Sequence, residues 1–302
     1  MILLTAMCFA VMDTSIKYLS TFVPALLMLW VRYAVQAVAM ALWLALSSLR
    51  SGSSSFRAAR PHFQFVRGVL LLISSAMMFY GIRYMPVAEF TAVGMLTPVV
   101  VTLLAAWLLK ESVSRLRWAL VWGAFAGALI VIRPGSGMFG WAAVFPLLMA
   151  LSYGSFQVLT SKLASVDDPY TTHFYTGLTG TVLVAPVLLA SGLNLTATLQ
   201  ALPAAQVALM LGIGALGTAG HLFLILALGL APTATLMPFI YTQIAFALAA
   251  SWWVFRHVPD AWAWVGMGVI AVCGAASIWL NMRSAVGNRR LDAQTLAATA
   301  GD

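Results

Sequence analysis

Charge is what this chain has least of. Asp, Glu, Lys and Arg together make up 8% of its 302 residues, only eight residues are acidic, and hydrophobic residues reach 62%. Soluble domains are about 25% charged, so the composition excludes an ordinary water-soluble globule and makes lipid the main solvent. Cysteine is scarce too. Cys8 and Cys273 sit in apolar runs with no metal-ligand spacing, which excludes a disulfide framework and leaves two free buried thiols. The four histidines, His62, His173, His221 and His257, lie far apart and form no local metal signature. The net charge of +8 is not gathered into a basic stripe with interleaved aromatics, so no nucleic-acid partner is expected. The first run, ILLTAMCFAVMDTSIKYL, lacks the positive start and small-residue cleavage site of a signal peptide and reads as a membrane span.

Long apolar runs are what the chain has instead. A span needs roughly 20 mostly apolar residues. Ten segments qualify: 2–20, 24–48, 63–84, 87–109, 115–133, 139–163, 170–191, 204–229, 233–255 and 260–282. Pro24, RSGSSSFRAARPH (50–62), Met85-Pro86, KESVSR (110–115), RPGSGMFG (133–140) and SVDDP (165–169) separate them, followed by SGLNLTATLQALP (191–203), Ala231-Pro232 and RHVPD (256–260). The polar residues 284–302 are expected to form a disordered cytoplasmic tail. Ten spans place both termini on one side. That side holds Arg50, Arg57, Arg60, Arg67, Lys110, Arg115, Arg117, Lys162, Arg283, Arg289 and Arg290, eleven in all, against Lys17, Arg83, Arg133 and Arg256 opposite. The bias puts both termini in the cytoplasm.

A second regularity is internal. Pro86 to Lys110 spans 24 residues, as does Pro232 to Arg256, and the alignment places Trp107 on Trp253 and Lys110-Glu111 on Arg256-His257. A nearly equal shift places Lys17 on Lys162 and Pro24 on Pro169. Residues 1–136 and 137–283 therefore read as two five-span units, the alternative being chance similarity of greasy helices. Five is odd, so the second unit enters the membrane from the opposite side, the inverted repeat of alternating-access carriers. The fold class expected is an all-α membrane protein of ten transmembrane helices in two inverted five-helix repeats.

The chain also resembles a family. FAVMDTSIKYL in span 1, Arg32 early in span 2 and PVAEFTAVGMLTPVVVTLLAAWLLKE in span 4 are similar to the EamA-type transporters of the drug/metabolite transporter superfamily. Glu111 matches the acidic residue with which that span-4 pattern ends. Phe9 and Tyr153 stand at or near positions where the family commonly has Trp. The resemblance implies a cavity enclosed by spans 1–4 and 6–9, with spans 5 and 10 peripheral. It implies a carrier of small metabolites, often an exporter of amino acids or related compounds from bacteria.

Polar residues inside a bilayer are costly and usually face a partner or a cavity. Asp13 lies about 9 Å below the outer end of span 1 and Arg32 about 10 Å below the start of span 2, at 1.5 Å per residue. Equal depth allows an ion pair that docks the two spans, or engagement of a zwitterionic substrate. Lys17 stands one turn from Asp13 on the same face. Glu89 is either a first-turn acid complementing a helix start or a proton-coupling or gating group. Glu111 is expected to contact Arg115 or Arg117. His221 is the deepest histidine, with a helix-to-helix hydrogen bond set against binding or protonation. Tyr80, Tyr153, Gln157, Tyr241 and Gln243 are candidates to orient a polar substrate group, and Trp30, Phe156 and Met77 with Met78 to form an adaptable apolar wall. Packing is the competing reading for each aromatic and Met. Pro98 frees a carbonyl and permits a kink in span 4, with Thr97 lining the opening, and Pro146, Pro186 and Pro238 act similarly. GIGALG (212–217) matches a dinucleotide-loop pattern letter for letter, but inside span 8 it reads as close helix packing, like Gly123 and Gly127.

The function expected is secondary transport, by alternating access of a central cavity, of small amphipathic metabolites such as amino acids, with export as the expected direction. A channel-like facilitator and an integral-membrane enzyme are the alternatives, the latter without any catalytic motif in the sequence. The partners expected are a small-molecule substrate and the lipid bilayer, with no cofactor and no metal. The chain is expected as a monomer or homodimer in a bacterial inner membrane.

Overall fold

The structure, a computed structural model, describes residues 1–51, 56–109, 115–133, 140–163, 166–230, 236 and 239–299. Every regular element among these residues is helical. Lipid favours that outcome because a helix satisfies its backbone donors and acceptors internally. In chain order come α1 (Ile2–Leu19), α2 (Ala25–Ser51), α3 (Pro61–Gly81), α4 (Val87–Gly94), α5 (Thr97–Leu109) and α6 (Arg115–Ile132). A 3₁₀ turn at Gly140–Ala143 leads into α7 (Val144–Leu163), α8 (Pro169–Ala190), α9 (Leu195–Ala201), α10 (Ala204–Leu230), α11 (Thr242–Phe255) and α12 (Ala261–Thr299). Among the described residues six stretches are long and apolar enough to cross a membrane, and four shorter ones, Val87–Val101, Trp118–Ile132, Thr242–Phe255 and Ala261–Ser277, are also apolar. This is a multi-pass membrane protein.

The residues that punctuate the sequence start the helices. Pro61 opens α3, Pro86 caps α4, and Pro169 opens α8 behind Asp168, whose Oδ1 accepts from the amides of Tyr170 (2.9 Å) and Thr171 (3.2 Å). Asn194 does the same for Ala197 at 3.0 Å, so a short helix, α9, occupies what the sequence presents as a loop. Span 4 is broken, and the reason is local. Pro98 has no N–H to offer the carbonyl of Gly94, and the hydroxyl of Thr97 donates to that carbonyl at 2.8 Å. The helix stops at Gly94 and restarts at Thr97.

At the other end, α12 runs on to Thr299, so the backbone of 284–299 is helical where disorder is expected. Its stretch LDAQTLAAT contains no Gly or Pro and is rich in strong helix formers, enough to carry the helix on. Lys110, Glu111, Pro232, Thr235 and Pro238 lie outside the described residues, so the Glu111 contact and the ends of the span-4 and span-9 echo are not placed.

The main helix pairs are α6 with α12, α2 with α8, α1 with α10, α3 with α7, α2 with α10, α1 with α11, α3 with α8, and α5 and α4 with α7. Exchange α1 with α7, α2 with α8, α3 with α10, α4–α5 with α11 and α6 with α12. Every one of those pairs then maps onto itself or onto another pair of the set. The α6–α12 pair closes through glycine: a Cβ on Gly127 would stand 2.9 Å from the carbonyl oxygen of Gly266, and one on Gly123 would stand 2.7 Å from Cys273 Sγ. These are the small-residue contacts the sequence suggests, worth having in lipid because close backbone approach gains dispersion contact.

Candidate functional site

Between the helices lies a cleft with about 600 Å³ of empty space, its open mouth included. Side chains from α1–α5, α7, α10 and α11 line it. On α1 the lining residues are Phe9, Met12 and Asp13; on α3 they are Leu71, Ser74, Ser75, Met78 and Phe79. Both sets follow the three-to-four-residue spacing that keeps side chains on one helix face. The cleft therefore runs along the C-terminal half of α3, about 12 Å of its length at 1.5 Å per residue. Phe90, Thr91, Gly94 and Met95 come from α4 and its end, Thr97 from α5, Met149 and Tyr153 from α7. Arg32 on α2, His221 on α10 and Gln243 on α11 complete the polar part. Aromatic and thioether side chains form the apolar part of the wall, and hydroxyls, Asp13, Arg32, His221 and Gln243 form the polar part, the mixed make-up of a small-molecule site.

The polar groups do not pair as their depths suggest. Among the described residues no ion pair joins Asp13 to Arg32. The Asp13 carboxylate accepts a long 3.5 Å bond from Gln243, and Lys17 turns away to donate to the carbonyls of Ile82 and Met85 at 2.7 Å each. The end of α3 leaves carbonyls without helical partners, and an ammonium suits them better than a carboxylate already inside the cleft. Arg32 is 1% exposed, its guanidinium lies 4.6 Å over the Tyr33 ring, and its Nε and Nη1 have no acceptor. Its Nη2 approaches His221 Nδ1 at 3.5 Å. That nitrogen also lies 2.9 Å from the carbonyl of Gly217, so it carries the hydrogen and gives it to the carbonyl. The approach of Arg32 is then a contact rather than a hydrogen bond, and Nε2 of His221 is left without a partner. Gly217 makes room for this, since a Cβ there would stand 3.0 Å from Arg32 Nε.

Beneath the cleft lies a polar layer that sequence reasoning missed. Arg67, counted there as a flanking charge, is fully buried in α3. Its Nε donates to Thr160 Oγ1 at 2.7 Å, and its Nη1 to the Thr172 carbonyl at 2.9 Å and Thr176 Oγ1 at 2.6 Å. Its guanidinium also sits 4.6 Å over Phe156, which stacks on Tyr153 at 5.6 Å. His173, likewise buried, has Nε2 3.1 Å from the Thr218 carbonyl and Nδ1 3.2 Å from Gln36 Nε2. One tautomer satisfies both: Nε2 donates and Nδ1 accepts. Asp167 accepts from Ala59 N at 2.7 Å and Gln64 Nε2 at 2.8 Å. The signal was in the sequence, because TTHFYTGLTG packs polar groups into a span at helical spacing.

At the opposite end, the buried Glu89 meets His257 Nε2 at 2.9 Å and joins the start of α4 to the segment after α11. Glu89 is a first-turn acid, as the sequence suggests, but it does not line the cleft. The cleft is thus bracketed along the membrane normal by two sets of side-chain ties.

Of the sequence candidates, Asp13, Arg32, Thr97, Tyr153, His221 and Gln243 meet in the cleft. Phe156 and Gln157 lie buried one turn further along α7. Four others do not face the cleft. Trp30 borders a separate groove with Val31 and Leu211, and Tyr80 is 36% exposed. Met77 is about 100° around α3 from Met78, which lines the wall in its place. Tyr241 packs into a notch at Gly274 of α12.

The model of the EamA-like transporter family matches residues 1–133 and again 140–280. A riboflavin transporter of Rhizobium johnstonii is 30% identical over 221 residues, 73% of this chain and 71% of its own length. An S-adenosylmethionine uptake transporter of Rickettsia prowazekii is 20% identical over 85% of this chain and 84% of its own. A pseudopaline exporter of Pseudomonas aeruginosa is 26% identical over 91% and 93%. One crystal structure superposes with a TM-score of 0.63 over 92% of this chain and 97% of its own at 16% identity, a likeness of fold alone.

Proposed function

The chain belongs to the EamA-like transporter family, and on that premise we propose that it is a secondary carrier moving a small amphipathic metabolite by alternating access. The observation that carries the reading is the central cleft, lined by helices of both halves and bracketed at each end by side-chain ties. The exchange symmetry of the helix pairs and the two successive family matches support two repeats of five spans, meeting near residue 136. Inverted repeats of this kind rock about a site at their interface. The α6–α12 pair stands apart from the cleft and suits the peripheral place of spans 5 and 10. Breaking the ties on one face while keeping those on the other would expose the cleft to one side at a time.

The wall of Phe9, Phe79, Phe90, Met78, Met95 and Met149 favours a cargo with a flat or apolar body and a polar end. A flavin, as in the Rhizobium relative's name, and an amino-acid derivative both have that form. The Lys/Arg bias, which remains ten to four without the buried Arg67, favours both termini on the cytoplasmic side of a bacterial inner membrane. Relatives are named for uptake and for export alike.

The test is counterflow in proteoliposomes preloaded with riboflavin, aromatic amino acids or S-adenosylmethionine. Saturable, trans-stimulated uptake of one of them is expected. Flux that neither saturates nor responds to internal cargo would make the protein a channel, and chemical conversion without flux would make it an enzyme.

A further inference from the structure

We propose that the cleft contains an oxyanion subsite centred on Arg32, so that the cargo carries a carboxylate or another acid group. The inference rests on the transport reading and adds the chemical class of the cargo. Arg32 is a buried guanidinium lining the cleft, with two nitrogens that find no acceptor and no carboxylate within ion-pair reach among the described residues. A cation held this way is costly, because removal from water is not offset by a partner. Ring contact with Tyr33, the approach to His221 and the longer-range attraction of Asp13 across the cleft offset only part of that cost, since none of them gives Nε or Nη1 an acceptor.

Arg67 makes the contrast. It is just as buried, but three close bonds to two threonine hydroxyls and a carbonyl hold it, and it does not line the cleft. Arg67 has built-in acceptors for two of its three nitrogens and leaves only Nη2 open, whereas Arg32 faces empty space with neither Nε nor Nη1 held. The sides of that space match an acid attached to an apolar body. Met12 and Phe9 flank it from α1, the Phe9 ring lies tilted with its centroid 4.6 Å from that of His221, and Gly217 keeps the guanidinium from being crowded. Asp13 borders the same space and holds it against anions that lack a donor of their own.

The experiment measures binding alone, by calorimetry on the protein in lipid nanodiscs, with matched probes: indole-3-acetate against indole-3-acetamide, and hydrocinnamate against hydrocinnamamide. At least one acid should bind about tenfold or more tighter than its amide, as expected when a charge-assisted bond is exchanged for a neutral one. Arg32→Gln should bring that ratio close to one, and Arg32→Lys should retain part of it. Asp13→Asn should tighten the acid and leave the amide unchanged, which keeps the idea testable if both Arg32 variants fail to fold. Equal binding of acid and amide, no acid binding at all, or a ratio that survives Arg32→Gln would overturn the subsite. Counterflow of a neutral cargo together with any of those results would remove the subsite and leave the carrier standing. Acid-selective binding without any counterflow would do the reverse.

Discussion

Replacing Thr160 by valine should cost this protein more than replacing Thr176 by valine, though both remove one hydroxyl from Arg67. Each threonine also donates to the carbonyl four residues back, Thr160 to Phe156 at 2.7 Å and Thr176 to Thr172 at 3.0 Å, so that loss is common to both variants. The difference lies with Arg67. Its Nε has Thr160 alone, whereas its Nη1 keeps the Thr172 carbonyl at 2.9 Å when Thr176 is gone. An N–H of a buried cation left without an acceptor costs about 1.5–3 kcal/mol. Inter-helix hydrogen bonds in membranes fall lower, near 0.6 and up to about 1.7 kcal/mol, because the unfolded state in lipid also finds partners. Thr160→Val should therefore lose about 2 kcal/mol, some thirtyfold in the folded-to-unfolded ratio, and Thr176→Val about 1 kcal/mol or less. Reversible unfolding in mixed micelles titrated with a denaturing detergent, followed by tryptophan fluorescence, measures both. Equal losses, a larger loss for Thr176→Val, or a Thr160→Val loss below about 0.5 kcal/mol would refute the account of how Arg67 is held.

Two further outcomes follow from single contacts. Gly127→Val should destabilise by about 3 kcal/mol or more, since its new side chain would meet the Gly266 carbonyl oxygen and the Ile270 amide, backbone atoms that cannot swing aside, as well as the Ile270 side chain, while the cargo preference of surviving protein stays unchanged. Melting temperature and counterflow selectivity check the two halves of that statement. Asp260 sits outside the membrane, where the Ala263 amide it accepts from at 2.9 Å and the Arg133 guanidinium at 2.6 Å hold its carboxyl below the usual range. A depressed carboxyl stabilises above its unfolded value and stops doing so as pH falls through its folded one. Asp260→Ala should thus cost about 1 kcal/mol near neutral pH, the worth of a helix cap, with little added by the solvent-screened ion pair. Wild-type and variant melting temperatures should converge only when the pH drops below the ordinary carboxylate value of 3.8.

Much of the fold was legible in one dimension, and most of the site was not. The apolar runs, their breaks and the Pro98–Thr97 kink could be read directly because each depends on neighbours within one turn of helix. The helix-start role of Glu89 is of the same kind. Its tie to His257 is not, because 168 residues separate the two. Depth along a helix was also readable, and it placed Asp13 and Arg32 at similar levels. Depth leaves out azimuth, however, and azimuth sent Arg32 toward His221 and left Asp13 with Gln243. For the same reason Met78 rather than Met77 lines the cleft, and Trp30 faces another groove. Arg67 fell on the wrong side of the ledger because a charge near the end of a span normally reaches the interface, and only the threonines of two other helices keep it inside.

The sequence by itself determined that the chain lives in lipid, that its elements are helices, and where nearly all of them begin and end. Those follow from composition and from hydrogen bonds closed within a few residues. Only the tertiary structure decided which polar groups are paired and which are left open, because that depends on the rotation of each helix against neighbours more than a hundred residues away. Arg67 has acceptors on Nε and Nη1 and leaves only Nη2 open, whereas Arg32 has none on Nε or Nη1, and no local pattern around either arginine distinguishes them.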